Sequence, residues 1–532
     1  MIPSPQYRHL WLPVVSALAF AFAYTQSPLY YSNQNQYFLH GLADAGYGDL
    51  STDWLANTSD PTPLFSAMVY GVYRTVGPAG FQAIYCAVLM GYFLSLWGIV
   101  TALPFAPKTT PGQWFLAASL ILIHSAIVRM ASVQLFDFDY PWHFQTGVAN
   151  QYLLGTGLQP SVFGVFLLMA LAAAIRGRPL LAAGLCAQAC AWHSTYLLPA
   201  GLIVFGLMVG SVRHKQYQTA LLTGIVALLG VLPVLIYNLL TFAPTSSEQF
   251  VESQNHLAWL RIPHHTDVNR WFDLIAGIQL LGVLAGIVLL RRTPLGLPLA
   301  VAAGLAVVLS IIQVVSGDAT LALMFPWRLS AVLVPLATML LLTYFVHRLE
   351  SINQPLLFLI AAIVLILISV IGAVYVSLNR LGYQESQAEA GLLYHVRETH
   401  LPNDLYLLPA GFPKPATKKG SWASTFVPVT QNGNPAIFEL ARFRLSTGAA
   451  TFVDFKSVPY HDVEVLEWHR RVSKAAEWYA VNDWDESGIL SLVIEEKVTH
   501  VVVPAGREIH SKQFAWEYED SAYRVYRIRR AK

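Results

Sequence analysis

Residues 354–377, QPLLFLIAAIVLILISVIGAVYVS, form an apolar run without a single charged side chain. About 20 predominantly apolar residues are enough for a helix to cross the hydrocarbon core of a bilayer, so this run predicts a transmembrane helix. The rest of the chain has a similar character: of its 532 residues, 55% are hydrophobic and only 12% are charged, and the mean hydropathy is +0.48. Such a composition indicates a membrane protein rather than a soluble one.

Similar apolar segments recur upstream of this run. Because backbone groups in lipid must be hydrogen bonded within their own segment, we interpret each of them as a helix. The hydropathy pattern predicts about eleven transmembrane helices in a polytopic α-helical domain that extends over residues 1–378. The approximate spans are 9–28, 79–104, 113–128, 160–175, 179–192, 196–212, 218–241, 273–290, 294–315, 327–346 and 354–377.

Charged residues divide the loops between these segments into two sets. Short cytoplasmic loops retain basic side chains, and nine of them fall in alternate loops: Arg8, Lys108, Arg176, Arg178, Arg213, Lys215, Arg291, Arg292 and Arg348. The opposite loops hold the carboxylates of this region, except Glu350. With an odd number of crossings, this pattern predicts a cytoplasmic N-terminus and an exported C-terminal region. In a bacterial inner membrane, that region would be periplasmic.

The composition changes near Leu378, where the long apolar runs stop. Residues 379–532 are therefore predicted to form a small soluble α/β domain on the extracytoplasmic side. Its predicted strands are Leu405–Leu408, Thr451–Phe455, His500–Val503 and Tyr523–Ile528, and its predicted helices are Val463–Tyr479 and Ile489–Glu496.

Charge and cysteine content exclude other classes. The net charge is only +2 and no basic stripe is interleaved with aromatic residues, which argues against nucleic acid as a partner. The chain has 3 cysteines, and all of them lie in apolar segments. We interpret them as small core residues rather than as a disulfide framework or a zinc site.

Three predicted outer loops carry polar residues that could do chemistry. The first, Gln34–Pro63, has four acids that include Asp53, and it has no Lys or Arg. The second contains Asp137 and Asp139, whose alternate spacing in an extended segment would place both carboxylates on one face. Such a pair could share a divalent metal, Mg²⁺ or Mn²⁺. The third is the segment 259–270, which is rich in arginine and histidine.

Several short motifs resemble the GT-C superfamily of integral membrane glycosyltransferases. They are Asn35-Gln36-Tyr37-Phe38-Leu39-His40-Gly41, Asp53-Trp54, Pro63-Leu64-Phe65, Val453-Asp454-Phe455-Lys456-Ser457-Val458-Pro459-Tyr460 and Glu467-Trp468. The resemblance implies transfer of a sugar from a polyprenyl-phosphate donor to a lipid, glycan or protein acceptor on the outer face. The chain lacks the Trp-Trp-Asp acceptor motif of the oligosaccharyltransferases, which argues against protein N-glycosylation.

The resemblance also implies roles for single residues. Asp53 would be the acidic residue of the first loop that acts as general base or coordinates the acceptor site, and Asp137 with Asp139 would match the acidic pair that holds a metal in some members. The departing phosphate needs positive charge, and Arg328, Arg261 and Arg270 are the external arginines able to bind its oxygens bidentately. The residues expected to line the site or contact the acceptor are Trp54, His143, His264 and His265.

Each of these residues also has a structural interpretation. Asp53 could cap a short helix while Trp54 anchors the membrane interface. Asp137 and Asp139 could be solvated, and Arg328 could reach phospholipid headgroups. The histidines could be hydrogen-bonded structural residues.

Two other classes of protein share this architecture. A lipid-linked glycan flippase or another transporter would also have many helices, but its ionisable residues usually lie within the spans. Here the acids gather at one predicted surface, which favours surface chemistry. A non-enzymatic membrane scaffold, whose exported domain binds a partner, is the other alternative.

Overall fold

The computed structural model describes residues 8–352, 354–382, 387–412, 440–481, 484 and 488–529. Within these residues, 6 helices are long and apolar enough to cross a membrane. They are Ala79–Val100, Ser194–Arg213, Tyr217–Thr241, Gly296–Ser316, Ala319–Leu349 and Pro355–Leu378. Thr110–His124 and Ala126–Phe136 meet at 55° and add a seventh if this bent pair is one span. Helices of this kind are those expected of a membrane protein.

The predicted count of about eleven crossings is not supported by these lengths. Apolar helices do lie at the other four predicted spans, but each has only 10 to 17 residues: Trp11–Tyr24, Pro160–Ala174, Pro179–Trp192 and Leu274–Leu290. At about 1.5 Å per residue, even the longest rises only about 25 Å, which is less than the roughly 30 Å hydrocarbon core. The hydropathy pattern located the helical segments but overestimated how many are long enough to span.

Burial distinguishes central helices from peripheral ones. The most apolar window of Ala319–Leu349 is 72% buried inside the protein, whereas that of Tyr217–Thr241 is only 11% buried. Leu228, Leu229 and Leu240 of the second helix are among its exposed side chains. An apolar surface of this extent suits contact with lipid.

Short helices and turns lie between the long apolar helices or form parts of them. The α-helices are Gln34–Tyr37, Leu39–Asp44, Pro63–Thr75, Tyr140–His143, Ser247–Asn255, Pro263–Thr266, Val268–Trp271 and Ala319–Leu323. Turns of 3-10 helix cover Leu50–Thr52, Leu55–Asn57, Val148–Asn150, Pro160–Gly164, Ser194–Tyr196, Pro326–Leu329 and Glu350–Ile352, and a π-turn covers His256–Arg261.

The C-terminal region contains a small mixed sheet, as predicted. Its strands are β1 (Leu405–Leu407), β2 (Ala450–Thr451), β3 (His500–Pro504), β4 (Phe514–Glu519) and β5 (Tyr523–Ile528), in the order β2-β1-β3-β5-β4. β1 is parallel to β2 and β3, while β5 is antiparallel to β3 and β4. Its helices are Ala390–Thr399, Phe443–Thr447, Asp462–Ala480 and Ile489–Glu495. Asp462–Ala480 buries Trp468 and Trp478 in the core formed with the sheet.

The first loop of the membrane region packs directly against this C-terminal domain. The Asp49 amide donates to the Gly448 carbonyl at 2.8 Å, and the Tyr47 hydroxyl donates to the Leu445 carbonyl at 2.7 Å. Gly48 and Gly448 both have positive φ, 54° and 80°. A Cβ on Gly48 would lie only 2.4 Å from the Gly448 carbonyl oxygen. The close approach of the two backbones therefore requires glycine here.

Candidate functional site

A cavity of about 470 Å³ lies where the ends of the apolar helices meet the C-terminal domain. This volume is within the usual range for small-molecule sites. Its wall takes residues from the segments 33–37, 150–161, 193–198, 254–265, 323–328 and 456–460, together with Pro61, Asn238 and Phe242. The last segment belongs to the C-terminal domain, so the cavity is complete only when the two parts of the chain pack together.

Arg328 enters this cavity from a break in the apolar helix that contains it. Phe325 adopts a left-handed conformation, with φ of 50°, directly before the 3-10 turn Pro326–Leu329. The Arg328 guanidinium donates to Oε1 of Gln151 at 2.7 Å and lies 4.9 Å from the ring centre of Tyr196. Its side chain is buried, and its Nε has no hydrogen-bond partner among the described residues. The guanidinium therefore keeps donor capacity for a ligand in the cavity.

Arg261 is a second cation of the cavity wall, at the end of the π-turn His256–Arg261. Its guanidinium donates to the backbone carbonyl of Lys456 and lies 5.5 Å from the ring centre of Phe455. Burial lowers the pKa of Arg261, although an arginine stays charged at any physiological pH. The structure thus places two of the three predicted phosphate-binding arginines in one cavity.

The third predicted arginine, Arg270, is not among the residues of the cavity wall. It lies 3.5 Å from Asp267 in a surface ion pair, and its side chain is 42% exposed. A pair of this kind contributes little to stability and leaves Arg270 in contact with solvent.

Lys456 is a cavity cation to which the sequence analysis assigned no role. Burial and the neighbouring Arg261 lower its pKa to about 7, while Asp454 acts in the opposite direction. The only sequence signal for Lys456 was its place in the motif Val453–Tyr460, since a single lysine in a soluble domain usually lies on a solvated surface.

The predicted histidines divide between the cavity and its surroundings. His264 and His265 line the cavity, and Nδ1 of His265 lies 2.7 Å from the Ala149 carbonyl oxygen. Burial lowers the pKa of both rings, that of His265 to about 4, so both are uncharged at neutral pH. His143 is not part of the cavity wall, and its ring stacks on Phe138 with centres 5.0 Å apart.

Asp53 is fully buried outside this cavity, in an ion cluster that joins the two domains. Its Oδ2 accepts from Nε of Arg444 at 2.7 Å and from the Thr451 amide at 2.9 Å, and its Oδ1 accepts from the Leu55 amide at 2.9 Å. Arg444 also pairs with Asp454. Burial alone would lower the pKa of Arg444, but Asp53 and Asp454 raise it. A carboxylate with its acceptors committed in this way does not fit the predicted role of catalytic base.

Trp54, the neighbour of Asp53, belongs to the same interdomain contact. The guanidinium of Arg471 lies 4.5 Å from its ring centre, and Trp54 packs partly buried against the cores of both domains. It is not part of the described cavity wall, so its expected contact with an acceptor is not seen in this arrangement.

The two acids of the predicted metal pair, Asp137 and Asp139, have different surroundings. Oδ2 of Asp139 accepts from Arg129, at 3.0 Å from Nε and 2.7 Å from Nη2. Asp137 is exposed and ends the helix Ala126–Phe136 in a left-handed conformation, with φ of 53°. In the ranges that the structure describes, no group of three or more His, Cys, Asp or Glu could hold a metal ion. The side chains at the predicted position therefore do not fit a shared cation, because one carboxylate is already neutralised by an arginine.

One segment of the chain matches a known family model. A family model described as "Domain of unknown function (DUF6798)" matches residues 435–475. This segment carries Arg444 and Asp454 of the interdomain ion cluster, as well as Lys456 and Tyr460 of the cavity wall. No curated protein matches the chain.

Proposed function

We propose that this protein is a membrane-embedded glycosyltransferase of the GT-C kind. It would move a sugar from a polyprenyl-phosphate carrier to a lipid, glycan or protein acceptor at the membrane surface. One observation carries the proposal: Arg261, Arg328 and Lys456 line a single cavity, and its described wall contains no aspartate or glutamate.

Arg328 is a buried cation whose Nε has no hydrogen-bond partner among the described residues, so it calls for an anionic ligand. Removing an arginine from water is costly unless an opposite charge or good hydrogen bonds compensate. The guanidinium of Arg328 donates to the neutral amide of Gln151 and lies over aromatic rings, and these uncharged groups compensate only in part. A phosphate group, whose oxygens match the planar guanidinium fork, would supply the missing charge.

The rest of the cavity wall suits a lipid-linked sugar. Apolar side chains from the membrane helices and their connections, among them Leu197, Leu198, Phe242 and Met324, offer a surface for a prenyl chain. Amide side chains can donate and accept hydrogen bonds at once, as sugar hydroxyls require. The wall has such amides at Asn33, Gln36, Asn150, Gln151, Gln159, Asn238 and Gln254.

The proposal departs from the family resemblance at two positions. Asp53 is assigned to the contact between the domains rather than to proton transfer, because its oxygens accept from Arg444 and from backbone amides. Asp137 and Asp139 are not assigned to a metal. Positive charge from arginine and lysine is therefore what this chain itself offers to a departing phosphate.

Purified protein, incubated with radiolabelled polyprenyl-phosphate sugars and a membrane extract, would test the proposal. We expect transfer by the wild type and a loss of about 10- to 100-fold for Arg328→Gln, because a hydrogen bond to a charged group contributes about 1.5–3 kcal/mol. Arg270→Gln is the matched control, since Arg270 lies outside the cavity wall, and it should retain activity.

Two results would count against the proposal. Absence of transfer from every carrier, with folding of the wild type verified by its thermal transition, would exclude this activity. Movement of the intact carrier across proteoliposome membranes without sugar transfer would instead indicate a flippase.

A further inference from the structure

Lys456 is the cation that the C-terminal domain brings to a cavity otherwise built largely from the membrane region. It follows β2 by five residues, and its backbone carbonyl is fixed by the guanidinium of Arg261. Because both residues line the same cavity, the side chain of Lys456 can contact a ligand that Arg261 also contacts.

The groups around Lys456 are mostly cationic or uncharged. Arg261 approaches from the π-turn, and His264 and His265 from the following helix. The carboxylate of Asp454 acts on Lys456 in the opposite direction. Its Oδ2 is paired with Arg444, and its Oδ1 accepts from the Ser457 amide at 2.7 Å.

The protonation state of such a lysine depends on what fills the cavity. Without an anion, burial and the charge of Arg261 lower the pKa of Lys456 to about 7. A negative ligand between the two cations would favour the charged ammonium and raise this pKa. Binding of the ligand and uptake of a proton are then linked, so each strengthens the other.

We propose that Lys456 is a phosphate-binding residue that takes up a proton when a prenyl phosphate or diphosphate group enters the cavity. The proposal deepens the proposed function and rests on one part of it, that the cavity binds a phosphate-bearing lipid. It makes the C-terminal domain part of the ligand site rather than a cover. It also predicts that affinity rises as the pH falls through the range in which free Lys456 titrates.

The test measures binding of a farnesyl methyl diphosphate diester to the full-length protein in detergent. A diester has no proton to lose near neutral pH, so the charge of the probe stays constant. Isothermal titration in two buffers of different ionisation enthalpy gives the number of protons taken up. For the wild type, we expect about half a proton at pH 7, and an affinity that falls about tenfold or more between about pH 6 and about pH 9.

Two variants separate charge from proton uptake. Lys456→Arg stays charged, so it should bind the probe with nearly the same affinity at both pH values and with no proton uptake. Lys456→Met keeps a similar length without charge, so it should bind weakly at both pH values, also without uptake. Thermal transitions close to that of the wild type would establish that both variants fold.

Three results would overturn the inference. They are probe binding by the wild type without proton uptake, unchanged uptake in Lys456→Met, and no probe binding at all by folded wild type. The outcome is independent of the transfer assay. Proton-linked binding without sugar transfer would refute the transferase activity and leave the role of Lys456 intact. Sugar transfer together with pH-independent binding would support the transferase activity and refute the role of Lys456.

Discussion

Replacing Asp53 by asparagine should loosen the contact between the two domains. In the native protein, Oδ2 accepts from Arg444 at 2.7 Å and from the Thr451 amide at 2.9 Å, while Oδ1 accepts from the Leu55 amide at 2.9 Å. An asparagine has one acceptor oxygen and one NH₂ group. In either orientation, its NH₂ therefore faces a donor that the carboxylate had satisfied.

The magnitude follows from the burial of this cluster. Asp53 is 0% exposed and Arg444 is 3% exposed, so water cannot solvate the guanidinium once the negative charge of Asp53 is removed. Removing one partner of a buried ion pair costs about 3–5 kcal/mol. Because Arg444 keeps its pairing with Asp454, we expect the lower end, about 3 kcal/mol, which is about a hundredfold in the docking equilibrium.

Native-state proteolysis would measure this change. If the C-terminal domain opens as a unit, the rate of cleavage near residues 379–382, where the long apolar helices end, should rise about a hundredfold in Asp53→Asn. Asp137→Asn is the control, since Asp137 is exposed and asparagine tolerates its left-handed backbone. A variant that resists protease as well as the wild type but has lost sugar transfer would refute this reasoning and return Asp53 to the chemistry.

Three further predictions concern the domain contact, acid stability and metal. Gly48→Ala should weaken docking of the domains by several kcal/mol, because its Cβ would meet the backbone of the facing Gly448. Gly46→Ala is the control: Gly46 has a φ of 76° and open space around it, so this variant should show only the backbone strain of about 1–2 kcal/mol. Protease protection and thermal melting would measure both variants. A hydrogen bond from Arg470 lowers the pKa of Glu496 from 4.5 to about 2. The stabilisation by this ion pair, about 1 kcal/mol, should therefore be complete above pH 4.5 and disappear as the pH falls toward about 2. Glu496→Gln should remove this pH dependence from the melting temperature. Chelation with EDTA should leave probe binding unchanged in titration calorimetry, because the carboxylate of Asp139 is already held by an arginine.

Hydropathy predicted the positions of the helices well, because a helix is determined largely by residues that are close together in the sequence. Helices lie at the predicted apolar segments, and the segment 354–377 corresponds to the helix Pro355–Leu378. The number of membrane-spanning helices was less predictable, because it depends on the length of each helix, and a helix ends where a turn or cap forms. Strand β4 (Phe514–Glu519) was missed because it is an edge strand in which only Phe514 is buried, so it lacks a pattern of buried residues.

The candidate site was predictable only in part. Arg261 and Arg328 were singled out by their chemistry, and the structure brings both to one cavity. The partner of Asp53 could not be predicted, because Arg444 lies 391 positions away in the chain and no local pattern connects the two. For the same reason, Lys456 could not be recognised as a neighbour of Arg261 before the tertiary arrangement was seen.

The distance along the chain between Asp53 and Arg444 also has a consequence for biosynthesis. Ribosomes add about 5–20 residues per second, so the 391 positions between the two side chains correspond to a delay of about 20–80 s. During this interval the newly made first loop must keep its carboxylate hydrated. A nascent chain stalled before residue 444 therefore lacks the arginine that pairs with this carboxylate.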